Sequence, residues 1–335
     1  MKAFATLALA CIAAQPVLAR AQDPVGADEA PTLLDEVLVS GEQPGPGLWK
    51  VIKQTADGEH VLWVLGSYGP LPKKMQWRSA QVEQVIAGSQ EVLGPVSVDA
   101  KVGFWGGLMM APSLIGIRDN PNDAKLKDVV PPELYARWLP LKARYIGKDD
   151  DAEKWRPIFA AGQLYLKAIE KSQLELNNKV WPVIEKLAKK NRVKINEPSL
   201  EIKVDKARSM VKDFKKAPLQ DIECFAATLE RVESDLDLMR VRANAWATGD
   251  LKTLRSLPHV DQVGACIAGV MSADVVQSRG FADVPARVNA LWIKEAEAAL
   301  ARNRSTFAVM RMSEILKPDG LIAQLRAKGY EVEEP

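Results

Sequence analysis

Five consecutive apolar residues, Val61-Leu62-Trp63-Val64-Leu65, run directly into Gly66 and then the turn formers Gly69, Pro70 and Pro72. An unbroken β-branched and aromatic run of this length marks a strand covered on both faces. The glycines and prolines stop it in a tight loop. Such a strand suits the interior of an α/β sheet, its carboxyl end delivered into the loop. In open sheets of that class, ligands bind outside the carboxyl ends of the strands, which places the expected site at Gly66-Ser67-Tyr68-Gly69. That loop holds the Ser67 and Tyr68 hydroxyls but no acid, base or metal ligand.

The remaining pattern fills in the same architecture. Leu48 to Ile52 reads as a first strand, and Asp57-Gly58 as a hairpin turn into the second. Ser79 is placed to cap a short helix, and Glu91-Val92-Leu93 follows as a strand. Pro131-Pro132 opens a helix, and helical periodicity extends from Asp151 to about Asn191. Leu200 to Val204 alternates as a strand. The longest helical pattern runs from Leu219 to Thr248 and is stopped by Gly249; further helices cover Gly264 to Val276 and Pro285 to Arg302. Thr306 to Met310, Leu321 to Ala327 and Tyr330 to Val332 read as strand, helix and strand. Strands gather at the two ends with helices between. The expected fold is α/β, a mixed sheet built from N- and C-terminal strands with a large helical middle segment.

Residues 1–21 have the form of a secretory signal: Lys2, an apolar core from Ala3 to Ala14, and a small-x-small end at Ala19-Arg20-Ala21. The core is too short to span a membrane. Cys11 sits in only a distant likeness of a lipidation box. Residues 22–42 read as a flexible lead-in and 43–335 as a single domain. The expected location is therefore exported, periplasmic or secreted. Lys and Arg number 45 against 43 Asp and Glu, and loss of Lys2 and Arg20 with the leader balances them. No basic stripe interleaved with aromatics appears, so no nucleic-acid partner is expected. Outside the leader two cysteines remain, Cys224 and Cys266, an even count that reads as one disulfide in an oxidising compartment.

Two histidines, His60 and His259, exclude most hydrolase templates. Their spacing to the cysteines matches no zinc pattern, and both read as structural. The loop Gly66-Ser67-Tyr68-Gly69 misses the nucleophile elbow, because Leu65 stands where that motif needs its first glycine. Most of the nine tryptophans fall in apolar periodic patterns; Trp77 and Trp105, in loop-like contexts, are the ligand candidates.

The ends of the chain carry a resemblance. Gly47-Leu48-Trp49-Lys50-Val51 with His60 to Gly66, then Thr306-Phe307-Ala308-Val309 with Asp319 to Val332, resemble the opening and closing elements of the TraB/GumN family, whose animal relatives are the Tiki metalloproteases. Trp246 with Gly249-Asp250-Leu251 resembles an internal element of that family. The resemblance implies a site built from two Gly-x-x-His motifs, a glutamate and an arginine. Here the first motif aligns on Gly66-Ser67-Tyr68-Gly69, so Gly69 replaces a histidine. The second aligns on Arg311-Met312-Ser313-Glu314, so Arg311 replaces glycine and Glu314 histidine. Glu91 aligns with the family glutamate and Arg287 with its arginine.

A divalent site deprived of both imidazoles keeps too few ligands for tight binding. The first expectation is a pseudoenzyme, an exported binding or accessory protein for a protein, peptide or small ligand, with Ser67, Tyr68, Glu91, Arg287 and Glu314 as vestigial-site residues. The alternative is a metal-dependent hydrolase or peptidase using manganese or cobalt in a rebuilt, carboxylate-rich site. Convergence of Glu91, Glu314 and Arg287 would favour the second. In the vestigial case Glu314 is expected at a loop or paired with a cation, Arg311 being the nearest candidate.

Overall fold

The computed structural model describes residues 45–101, 111–176, 179–258 and 260–335. These fall within one unit, Gln43–Pro335. The expected leader and lead-in, with Cys11, as well as Trp105 and His259, lie outside the described residues.

The chain is mixed α/β around a six-stranded sheet. Strands β1 (Leu48–Thr55) and β2 (Gly58–Ser67) form the expected hairpin, with Gly58 at φ +112°, a conformation that glycine adopts without strain. Three short strands follow: β3 (Leu71–Pro72), β4 (Glu91–Leu93) and β5 (Ser97–Lys101). The middle of the chain supplies β6 (Leu174–Glu175), β7 (Lys194–Asn196) and β8 (Ser199–Lys203). The last two strands are β9 (Ser305–Arg311) and β10 (Glu331–Glu333). The sheet order is β10-β1-β2-β9-β4-β7, with β10, β1 and β2 antiparallel and β2, β9, β4 and β7 parallel. Pairing of β2 with β9 thus joins segments that are about 240 residues apart, which is how both ends build one sheet.

The structure refines the sequence expectations. The sheet is the expected mixed one built from both ends, and β7, from the helical middle, adds an edge strand beside β4. The alternating stretch at Leu200 is strand β8, as expected, and it pairs with β5 in a separate ribbon. The pattern from Leu219 to Thr248 is two helices, Ile222–Ser234 and Leu236–Ala247, interrupted at Asp235. Likewise Gly264 to Val276 divides into helices Gln262–Met271 and Asp274–Ser278. Ser79 occupies the position before helix Ala80–Ala87 but makes no side-chain cap hydrogen bond.

Two apolar cores organise the packing. The first sits on the sheet, where Leu62, Val64, Leu65, Phe307, Ala308 and Val309 are buried together with Trp49, Trp246 and Trp292. Helix Val284–Arg302 packs against β1, β2, β4 and β9. The second core is helical and joins Pro132–Tyr145, Pro157–Lys171 and Ile222–Ser234 around Trp138 and Phe225, whose rings lie 5.6 Å apart. Trp77 does not stand free as a ligand platform; it packs edge-on against Trp246 at 5.6 Å. His60 is buried with Nδ1 2.8 Å from the Leu300 carbonyl, a structural histidine as expected. Among the described residues no helix is long and apolar enough to cross a membrane.

Candidate functional site

The apolar runs of β2 and β9 need burial on both faces, and their parallel pairing delivers Ser67 and Arg311 to the same level at the carboxyl edge of the sheet. The end of β2 is held firmly. The Trp246 indole donates to the Gly66 carbonyl at 2.6 Å, and the Ser67 hydroxyl donates to the Met310 carbonyl at 3.1 Å. Gly66 packs closely there: a Cβ would sit 2.5 Å from the Met312 methyl, so a larger residue would need that side chain to move. Beyond this point Ser67, Tyr68, Gly69 and Pro70 form one side of a cavity of about 320 Å³. Its other walls come from Tyr165, Arg231, Val260, Asp261 and Arg311.

Behind Tyr68 lies a buried charge cluster. Arg231 is 6%, Asp235 2% and Arg242 3% exposed. Asp235 occupies the junction between the two helices, which brings Arg231 from one and Arg242 from the other to the same carboxylate. Arg242 pairs with Asp235 at 2.6 Å, while Arg231 Nε stands 3.8 Å from it. Arg231 also donates to the Val260 carbonyl at 2.8 Å, and Arg242 to that of Pro258. These bonds satisfy only part of the cluster. Arg231 Nε, Arg242 Nε and Nη1, and one Asp235 oxygen lack hydrogen-bond partners among the described residues. A buried polar atom left without a hydrogen bond costs about 1–3 kcal/mol. Burial raises the Tyr68 and Tyr165 phenols above their ordinary range, against the lowering influence of Arg242 and Arg231 respectively. Both therefore remain neutral hydroxyls at neutral pH. At the rim Arg311 is exposed and has no hydrogen-bond or ion-pair partner among the described residues. Asp261 is engaged at the start of helix Gln262–Met271, where it accepts from the Gly264 N–H at 2.9 Å.

A family model for the TraB/PrgY/gumN family matches residues 47–334. The chain belongs to that family. No curated protein and no solved structure matches it.

In this TraB/PrgY/gumN protein the five candidate site residues do not all come together, although Ser67 and Glu314 line a common cavity. Ser67 and Tyr68 line the cavity, as their place after β2 implies. Glu91 is at the opposite end of the sheet. It pairs in register with Thr306, five residues before Arg311, and so lies about 16 Å of strand from the carboxyl edge. There it is buried and receives hydrogen bonds from Arg302 at 2.7 and 2.9 Å and from Asn303 at 2.9 Å. Glu314, on helix Met312–Leu316, lines a second cavity of about 710 Å³ and pairs with Lys317 at 3.0 Å. The cation is thus Lys317, one helical turn away, and not Arg311. Arg287 is partly exposed and faces Asp283 at 3.7 Å. Glu91, Glu314 and Arg287 thus do not converge, whereas convergence is the condition named above for the hydrolase alternative.

Arg231, Asp235, Arg242 and Tyr165 were not singled out by sequence reasoning, although a signal existed. Three charged residues interrupt an otherwise apolar helical stripe at spacings of four and seven, which places them on one face of a helix. Charges at core positions are the exception that calls for a partner.

Glu91 has a testable electrostatic signature. Burial works against its ionised form, but hydrogen bonds from Arg302 and Asn303 outweigh this and hold its pKa below the ordinary carboxylate value. A depressed pKa stabilises the fold above the unfolded value of about 4.3 and loses that contribution as pH falls through the folded one. Glu91→Gln is therefore expected to flatten the decline of urea stability between about pH 5 and pH 3. An unchanged acid profile would show that the Arg302 contact contributes nothing.

Proposed function

We propose that this TraB/PrgY/gumN member is an exported, catalytically degenerate protein that binds a ligand in the cleft at the carboxyl edge of its sheet. The observation that carries this reading is the separation of the remaining acids. Glu91 is engaged by Arg302 at one end of the sheet and Glu314 by Lys317 at the other, so neither is a free base beside the other. Gly69 brings no side chain to the cleft, and the groups that line it include the guanidiniums of Arg231 and Arg311 and the neutral, half-buried phenols of Tyr68 and Tyr165. Such groups recognise and orient a ligand, whereas general-base work needs an acceptor tuned near neutral pH. Export is supported by the leader-like residues 1–21 and by Cys224 and Cys266, which stand at disulfide distance with a Cα separation of 4.4 Å.

The alternative, a manganese- or cobalt-dependent hydrolase, needs carboxylates to gather around one ion. Among the described residues no group of three His, Cys, Asp or Glu side chains does so. Peptide-library cleavage, with and without manganese or cobalt, tests the choice. The expected result is no cleavage, and Glu314→Gln is expected to change stability by less than about 1 kcal/mol, as for a partly exposed ion pair. Metal-dependent cleavage that disappears in Glu314→Gln would overturn the non-catalytic reading.

A further inference from the structure

The cleft holds a surplus of positive charge and an apolar extension beside it. Three guanidiniums, Arg231, Arg242 and Arg311, gather at or behind the first cavity, against the carboxylates of Asp235 and Asp261. One positive charge is left over, and buried N–H groups of Arg231 and Arg242 lack acceptors among the described residues. Ser67 and Arg311 line the second cavity as well as the first. The walls of the second are largely apolar, with Val96, Ile267, Met271 and Val288, and its Glu314 and Lys317 already pair with each other. It also contains Trp292, a buried residue whose indole N–H has no partner among the described residues.

We infer that the cleft binds a monocarboxylate with an apolar body, the carboxylate between Arg231, Arg311 and the Tyr68 hydroxyl and the apolar part in the cavity beside Trp292. This rests on the binding reading above and gives it a ligand class. The guanidinium fork suits a planar carboxylate, which can accept two parallel N–H bonds. A single surplus positive charge matches a monoanion and leaves one charge of a dianionic phosphate uncompensated. The neutral phenol of Tyr68 donates to an anion without repelling it. Two sources share this chemistry, a medium-chain fatty acid and the free C-terminus of an apolar peptide.

The test is calorimetric titration of the full chain with decanoate and with N-acetyl-Leu-Leu, each beside its primary amide. At least one acid should bind saturably, and its neutral amide should bind at least about tenfold more weakly. Preference for decanoate identifies a lipid-derived acid; preference for the peptide identifies a chain terminus. Because Arg231 is buried and its replacement could unfold the chain, the deciding variant is Arg311→Gln at the exposed rim. It should melt like wild type and weaken the acid by about three- to tenfold while leaving the amide unchanged. Equal affinity for acid and amide, absence of saturation by either acid below about 1 mM, or displacement of the acid by equimolar inorganic phosphate would each overturn the proposal. Mass spectrometry of the titrated peptide separates the two readings. Cleaved peptide would sink the non-catalytic function, while the acid-to-amide ratio would still decide this one.

Discussion

Replacing Asp235 by alanine should destabilise the fold by about 3–5 kcal/mol, because it leaves two buried guanidiniums facing one another without a counter-charge. The loss should appear as a lower urea midpoint with an unchanged slope. Asp237→Ala is the control: its side chain is 95% exposed and its removal should cost almost nothing. Replacing the pair together, Asp235→Leu with Arg242→Met, should cost less than Asp235→Ala alone, since no lone charge is then buried. If Asp235→Ala and Asp237→Ala behaved alike, the cluster would not be a structural centre. The effect also bears on the cleft. Asp235 sets the positions of Arg231 and Arg242, and without it the cavity wall would lose its anchor at the junction of the two helices.

A comparably large effect is expected at the cysteines. Cys224 lies on helix Ile222–Ser234, which also carries Arg231, and Cys266 on helix Gln262–Met271, which begins at Asp261. Their sequence separation of 42 gives a stabilisation of about 4 kcal/mol from chain entropy, an upper figure for a bridge of this kind. Urea unfolding with and without dithiothreitol checks this. Wild type should lose stability on reduction, and Cys266→Ser should start from the reduced value and not respond. Alkylation of non-reduced protein should find neither thiol free. A wild-type curve indifferent to reductant would refute the role of the bridge. Because the bridge joins two walls of the same cavity, its loss should also loosen the cleft ahead of the sheet, seen as faster amide exchange around Arg231 than in β2.

Legibility in the sequence followed the range of the interactions involved. Val61 to Leu65 and Thr306 to Met310 could be read as doubly covered strands because burial on both faces leaves a local mark, an unbroken apolar run, whatever the partner. The same runs, with Trp246 and the closing segment from Asp319 to Val332, carried the family resemblance, and that family is the one to which the chain belongs. The loop after β2 could be placed at the site because strand ends are local features. The interruption at Asp235 could not. Both flanking segments keep an apolar helical stripe, and nothing between Leu219 and Thr248 breaks a helix by its own preference.

What tertiary structure alone decided was which distant residues share a site. Glu91 and Glu314 were brought together by alignment to one motif set, but strand direction puts them at opposite ends: β4 starts at Glu91, whereas β9 finishes just before Glu314. No local pattern records how far one strand slides along another that comes from the far end of the chain. For the same reason Arg231 could be seen as a charge in an apolar stripe, but not as a wall of the cavity that Ser67 and Tyr68 also line, tied through Asp235 to Arg242. The sequence determined the sheet's strongest strands, the cysteine pair and the loop at the carboxyl edge of the sheet. The packing of the helical middle against the carboxyl edge decided that the loop faces buried arginines, because burial and pairing of a charge are set by residues remote in the chain.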